Sequence, residues 1–128
     1  MDEVIGAEPE AGPWPAQWMH GVLELCVLAL VAERETYGYA IAQRLEAARL
    51  GKVKGGTIYP ILLRLEREGL VTSVWRQGEG GPGRKFFQIT ALGATELAAR
   101  RLRWSAFNAV TTELLTTTAK EADDGKLH

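Results

Sequence analysis

A chain of 128 residues with 46% apolar side chains has the make-up of one soluble globular domain with a modest core. Its single cysteine, Cys26, excludes an intrachain disulfide and fits a reducing compartment. The net charge of −1 argues, as a total, against a nucleic-acid partner. There is no G-x-S-x-G elbow, phosphate-binding loop or Cys/His pair, so no enzyme, cofactor or metal site is expected.

Residues 1–15 are acidic and carry Pro9, Pro13 and Pro15, which predicts a disordered extension and not a signal peptide. Helix one is expected from about Ala16 to Ala32. Within it the run Val22–Ala32 is apolar but too short to span a bilayer, and Glu24 interrupts it. No membrane partner is expected, and cytoplasm is the expected location. A helix apolar on nearly all sides must be covered on all sides. A domain this small cannot do that alone, which implies a partner chain. After a polar turn over Glu33–Thr36, helix two is expected from about Gly38 to Arg49, with Ile41, Ala42, Leu45 and Ala48 at helical spacing and Gly51 as its stop.

Lys52–Gly56 reads as a loop with two lysines and two glycines. Helix three is expected to start with Thr57 as N-cap and Pro60 in its first turn, and to close at Gly69. Ile58, Ile61, Leu62 and Leu65 form its buried stripe; Gly56, Thr57, Pro60, Leu63, Arg64 and Arg67 lie on the other side. A strand follows from Leu70 to about Gln77. The glycine-rich turn Gly78–Gly83 leads into a return strand, Arg84–Ile89, whose Phe86 and Phe87 send one ring to each face. Thr90 is expected to cap a last helix running to about Thr118, roughly 42 Å. In it Leu97, Trp104 and Thr111 recur every seven residues, as do Phe107 and Leu114, which suggests an association helix. Residues 119–128 read as a disordered tail.

The charge total conceals its distribution. Residues 1–17 carry four acidic groups and no base, whereas Arg49–Lys85 carries 8 basic and 3 acidic groups, a local +5. Such a patch attracts phosphate whatever the total. A short helix followed by a basic hairpin is the working half of a winged helix-turn-helix, in which the second helix of the pair enters the major groove N-terminus first. The fold class is therefore mainly α with a small β-hairpin: a winged helix-turn-helix over 16–90 and a long dimerisation helix over 91–118. Double-stranded DNA is the expected partner. Small residues for close approach and polar or cationic groups for phosphate are supplied by Lys54, Gly55, Gly56, Thr57, Tyr59, Arg64, Arg84 and Lys85. Arg64 has an alternative i,i+4 partner in Glu68. Few groups on the outward face of helix three read bases bidentately; Thr57, Pro60 and Leu63 suit thymine methyls.

Several motifs, in order and at matching spacing, make the chain resemble the PadR family of bacterial transcriptional regulators. They are Tyr37-Gly38-Tyr39-Ala40-Ile41, Gly56-Thr57-Ile58-Tyr59-Pro60, Arg64-Leu65-Glu66-Arg67-Glu68-Gly69-Leu70, and Gly83-Arg84-Lys85-Phe86-Phe87-Gln88-Ile89-Thr90, with Gly93. The resemblance covers about Trp18 to Leu115. It implies a homodimer on an inverted-repeat operator, usually a repressor, with Tyr37 and Tyr39 as phosphate donors. Packing of those rings on helix three is the alternative. The single C-terminal helix resembles the compact subgroup, whose multidrug-sensing members stack planar drugs on a tryptophan facing a central dimer pore. Trp104 matches that tryptophan, with dimer-core packing as its alternative. By the same register Trp18, Gly21, Glu24, Leu25, Phe107 and Asn108 would line the pore for a small aromatic or cationic effector, with Glu24 suited to a cationic one or, alternatively, facing water or a hydrogen-bond donor at the dimer opening. Two departures stand out: Phe86-Phe87 where the pair usually ends in Tyr, and a longer acidic N-terminal extension. A winged-helix protein–protein module controlled by a partner protein is the competing reading.

Overall fold

In a computed structural model, residues 13–77 and 81–127 are described, with side chains to residue 117. The order is α1 (Ala16–Glu33), α2 (Gly38–Ala47), α3 (Gly55–Arg67), β1 (Val71–Arg76), β2 (Arg84–Ile89) and α4 (Ala91–Leu127). The chain divides into two compact units, Met1–Leu97 and Ala98–His128. The first is the winged helix-turn-helix; the second is the remainder of the long C-terminal helix.

The core of the first unit is built from one stripe of each element. Val27, Leu28 and Val31 come from α1, Ile41 and Leu45 from α2, Ile58, Leu62 and Leu65 from α3, and Val71 and Phe87 from the hairpin, all essentially inaccessible to water. Each such side chain contributes roughly 1.5–3 kcal/mol of burial. α1 is covered on only part of its circumference: Leu25, Ala29 and Leu30 are half-buried, and Trp18 is exposed. Its 18 residues, with mean hydropathy 1.3, are by length and composition enough to cross a membrane. The run Val22–Ala32, read as too short, is thus part of a longer apolar helix, four of whose residues build the core. Half-burial raises the Cys26 thiol pKa, so Cys26 packs as a small apolar group.

Two helix boundaries differ from expectation. α2 ends at Ala47, and the left-handed residue behind it is Arg49, with φ 72°, ahead of Gly51. The closing bonds explain this: the Ala48 N–H donates to the Arg44 carbonyl at 3.0 Å and the Leu50 N–H to the Leu45 carbonyl at 3.0 Å. The wrap-around bond holds Arg49 in a conformation glycine would take more cheaply. α3 starts earlier than expected, at Gly55. The Lys54 carbonyl accepts from Thr57 N–H (2.9 Å) and Ile58 N–H (3.1 Å), so Thr57 is already helical and is not the cap. Pro60 accordingly lies inside the helix, past the first turn, and its ring leaves the Gly56 carbonyl without a helical donor. The end of α3 is as expected: Gly69 is left-handed at φ 79° and the Leu70 N–H donates to the Leu65 carbonyl at 2.9 Å.

β1 and β2 pair antiparallel, with Val71 opposite Ile89, Ser73 opposite Phe87, Trp75 opposite Lys85 and Arg76 opposite Arg84. Phe87 is fully buried and Phe86 half-buried, one ring to each face as expected. Thr36, read as part of a turn, instead exchanges both backbone bonds with Phe87 at 3.1 and 2.7 Å. This bridge ties the start of α2 to the wing. The glycine-rich tip Gly78-Glu79-Gly80, the acidic residues 1–12 and His128 lie outside the described residues.

Thr90 caps α4 as expected: its Oγ1 accepts from the Gly93 N–H at 2.9 Å and donates to the Gly69 carbonyl at 2.7 Å. α4 continues to Leu127, past the expected end near Thr118, through Ala119-Lys120-Glu121-Ala122, all good helix formers. In the second unit Leu102, Phe107, Val110 and Leu114 are between 63% and 75% exposed, so the single chain leaves this stripe uncovered.

Candidate nucleic-acid interface

The N-terminal half of α3 presents an open face. Gly56, Thr57, Tyr59 and Pro60 are exposed, and Lys54 stands exposed just ahead of the helix. Tyr59 leans back onto α2. A Cβ on Gly38 would stand 2.5 Å from the Tyr59 hydroxyl oxygen, so only glycine at 38 admits this ring. That contact places Tyr59 beside the first turn of α2, where Tyr39 is 64% exposed.

The tyrosines and the wing share one cleft of about 400 Å³, lined by Tyr37, Tyr39, Tyr59, Trp75, Gly83, Arg84 and Lys85. Five of the residues singled out in the sequence thus come together. They do not have equal freedom. Tyr37 is half-buried, its ring 5.0 Å from that of Phe86, and the guanidinium carbon of the exposed Arg84 lies over the Tyr37 ring, 4.6 Å from its centroid. Arg84 is therefore an outward cation preorganised by an aromatic face. Lys85 is half-buried and turns toward α3, with its Nζ 3.8 Å from Glu66 Oε1 and 5.8 Å from the Phe87 ring. Glu66 also accepts the Ser73 hydroxyl at 2.7 Å.

Trp75, in this cleft, is 68% exposed although tryptophan more often packs. Strand alternation puts it on the Ser73 and Val71 face, but the core ends before it. Its place opposite Lys85 was the available signal.

Arg64 departs most from the sequence reading. Its Nε and an Nη donate to Glu24 Oε1 at 3.0 and 2.8 Å, so the guanidinium reaches back to α1 instead of standing outward on α3. The same bonds engage Glu24, read as a pore carboxylate. A half-exposed pair of this kind, with 43% and 28% of the side chains accessible, ties α1 to the middle of α3. Of the other pore residues, Trp18 and Gly21 are exposed and Leu25 half-buried in the first unit, and Trp104, Phe107 and Asn108 are exposed in the second. A pore between two copies is not formed by one chain.

The wing root carries a network that sequence reading missed. Arg76 donates through Nε and an Nη to the two oxygens of Glu35, the latter at 2.9 Å, and Gln88 donates to Glu35 Oε1 at 2.8 Å. The Glu35 carboxyl is held below the usual carboxylate range, first by the Arg76 hydrogen bond and then by Gln88. Since its folded pKa lies below the unfolded one, this stabilisation is present above the ordinary carboxylate range. It is lost as pH falls through the lowered folded value. Arg76→Met is expected to move Glu35 back toward its ordinary pKa in a carboxyl-carbon NMR titration; an unchanged Glu35 curve would contradict the network.

Residues 27–99 match the transcriptional regulator PadR-like family. Among solved structures, a PadR-like transcriptional regulator from Bacillus cereus is 33% identical, covers 77% of this chain and 96% of its own, and superposes with a TM-score of 0.69. A PadR family regulator from Eggerthella lenta is 31% identical over 78% of this chain and 87% of its own, at a TM-score of 0.70. An uncharacterised protein of Lysinibacillus sphaericus is 28% identical over 89 residues, 68% of this chain and 82% of that protein.

Proposed function

The chain belongs to the PadR-like family of transcriptional regulators and is a DNA-binding transcription regulator; from that premise we propose that it is a ligand-responsive repressor that occupies an inverted-repeat operator as a homodimer. The observation that carries the docking mode is the exposed start of α3 beside the cleft where Tyr39, Tyr59 and Arg84 converge. In this reading α3 enters the major groove with Gly56, Thr57 and Pro60 leading, and Lys54, Tyr59 and Arg84 take phosphates on either side. Tyr37 supports Arg84, and Lys85 supports the wing through Glu66. Two copies place two such helices in successive major grooves.

The dimer proposal is supported by the uncovered apolar stripe of α4 and the exposed Trp18 of α1. We place a planar cationic effector between the Trp104 side chains of the two copies, as in the compact, multidrug-sensing members. The Glu24–Arg64 pair then gives a physical route from α1 to the recognition helix: a shift of α1 pulls on Arg64. Coupling of this kind is typically ~1–3 kcal/mol, roughly 5- to 150-fold in affinity.

Light scattering is expected to report a dimer, and ethidium, a planar cation, is expected to quench intrinsic tryptophan fluorescence in the absence of DNA. Trp104→Ala should abolish most of that quenching while leaving the dimer intact. Undiminished quenching in the variant would remove Trp104 from the effector site, and a monomer would remove the pore altogether.

A further inference from the structure

The acidic stretch ahead of α1 is used neither by the docking mode nor by the pore, and it lies outside residues 27–99, which match the family. Residues 1–12 carry Asp2, Glu3, Glu8 and Glu10 and no lysine or arginine. The chain that follows them is pinned to two helices by successive residues. The Trp14 indole N–H donates to the Arg49 carbonyl at 2.9 Å, behind the end of α2. The Pro15 carbonyl accepts from the Trp18 and Met19 N–H groups at 3.0 and 3.2 Å, at the start of α1.

The surface at that anchor is cationic. Arg49, Lys52 and Lys54 are all exposed, and no acid lies between them in the chain. Among the described residues, no carboxylate pairs with Arg49 or Lys52. Arg49 holds left-handed backbone, φ 72°, where glycine would be less strained, so a cation is kept here against the local preference. Glu10 is four residues from Trp14 and Glu8 six, which sets their reach at no more than ~14 and ~22 Å. Arg49 and Lys52, three residues apart, are separated by at most ~11 Å and fall within it. A carboxylate tethered this closely stands at an effective concentration on the order of millimolar.

We propose that residues 1–12 are an intramolecular competitor of DNA: their carboxylates pair with Arg49 and Lys52 and withhold Lys52 from the phosphate backbone. Lys54, nearer the start of α3, stays open to phosphate. The pairing stands on the anchor and the charges. Its effect on DNA rests on the docking mode above, which runs the backbone past Lys54 and so within reach of Lys52. The extension therefore lowers affinity for any duplex, most strongly at low salt.

The test compares the full-length chain with a variant that carries Asp2→Asn, Glu3→Gln, Glu8→Gln and Glu10→Gln and so keeps the length without the charge. Amide correlation spectra read the pairing without DNA. Shifts between the two chains are expected at Leu50, Gly51, Lys52 and Val53, fading near 1 M salt, where the Debye length is about 3 Å. No difference at these residues overturns the proposal. Anisotropy of a random-sequence duplex reads the competition. The neutral variant should bind close to tenfold tighter per engaged copy near 0.1 M salt, with a log–log salt slope steeper by about 0.9, the mark of one phosphate contact regained. Lys52→Gln should remove that gain from the neutral variant and scarcely change the wild type. Equal loss in both backgrounds would make the extension a bulk charge that does not act through Lys52, and overturns the proposal. Trp14→Ala, which keeps all four carboxylates and removes the anchor, should give part of the gain; none would overturn the tether. Absence of duplex binding by every chain would sink the docking mode, while the spectra would still decide the pairing.

Discussion

Gly93→Ala is expected to destabilise the chain by about 3 kcal/mol, the combined scale of an overpacked contact and a lost helix cap. A Cβ at position 93 would overlap the Leu70 carbonyl oxygen and stand 2.8 Å from Ile89 Cγ1. Neither can retreat cheaply. The Leu70 carbonyl accepts from the Thr90 N–H at 3.0 Å, and the Gly93 N–H donates to the Thr90 hydroxyl that caps α4. Relieving the overlap therefore breaks the cap, the Thr90 bond or the seating of α4 against the end of α3. For a domain of this size the melting temperature should fall by roughly 12–24 °C. Gly56→Ala is the control. Nothing lies within 4 Å of a Cβ there, and the residue is helical, so the substitution should leave stability unchanged or raise it by up to ~1 kcal/mol. A melt in which both variants behave alike would show that Gly93 is not a close-approach glycine.

The elements read from local patterns were those whose causes are local. The α3 stripe, the alternation of Phe86 and Phe87, Gly69 as the closing residue and Thr90 as the cap are each set by a few adjacent residues, and each is found. The α3 start was misplaced because Gly55-Gly56 reads as loop, while the cap is the Lys54 carbonyl, which no side chain announces. The α2 end was misplaced because a single wrap-around bond puts Arg49 where glycine was expected. Thr36 joins Phe87 through one bridge, too short to leave a period in the sequence.

The candidate site was legible in its residue types and not in its pairings. Glu24 and Arg64 are 40 positions apart, and Glu35 and Arg76 are 41 apart. Both contacts depend on how elements pack, which hydrophobic periodicity does not encode. Arg64 was therefore placed on the DNA face when its guanidinium reaches α1. Arg84 and Lys85 were treated as equals when adjacent strand positions send them to different neighbours. That last difference yields the second large prediction.

Replacing both Lys54 and Arg84 by alanine should flatten the salt dependence of duplex binding, whereas Lys85→Ala should scarcely change it. Each phosphate contact contributes roughly 0.9 to the slope of log affinity against log salt, hence close to tenfold in affinity near 0.1 M salt. Lys54 is exposed, and Arg84 is exposed with its charge held over Tyr37. Lys85 is half-buried toward Glu66, and its loss removes wing packing before it removes a phosphate contact. If one copy docks, the double variant loses two contacts: the slope falls by about 1.8 and affinity by between one and two orders of magnitude. If two copies dock, four contacts go: the slope falls by about 3.6 and affinity by between three and four orders. The measurement therefore reports the number of engaged protomers as well as the identity of the contacts. Arg84→Lys separates charge from planarity. Restoration of the slope by lysine assigns Arg84 to phosphate neutralisation, whereas a slope that stays flat assigns it to the stacked geometry over Tyr37. Equal effects of Lys85→Ala and Arg84→Ala would overturn the division of labour across the wing, and with it the docking of Arg84 as the outward cation.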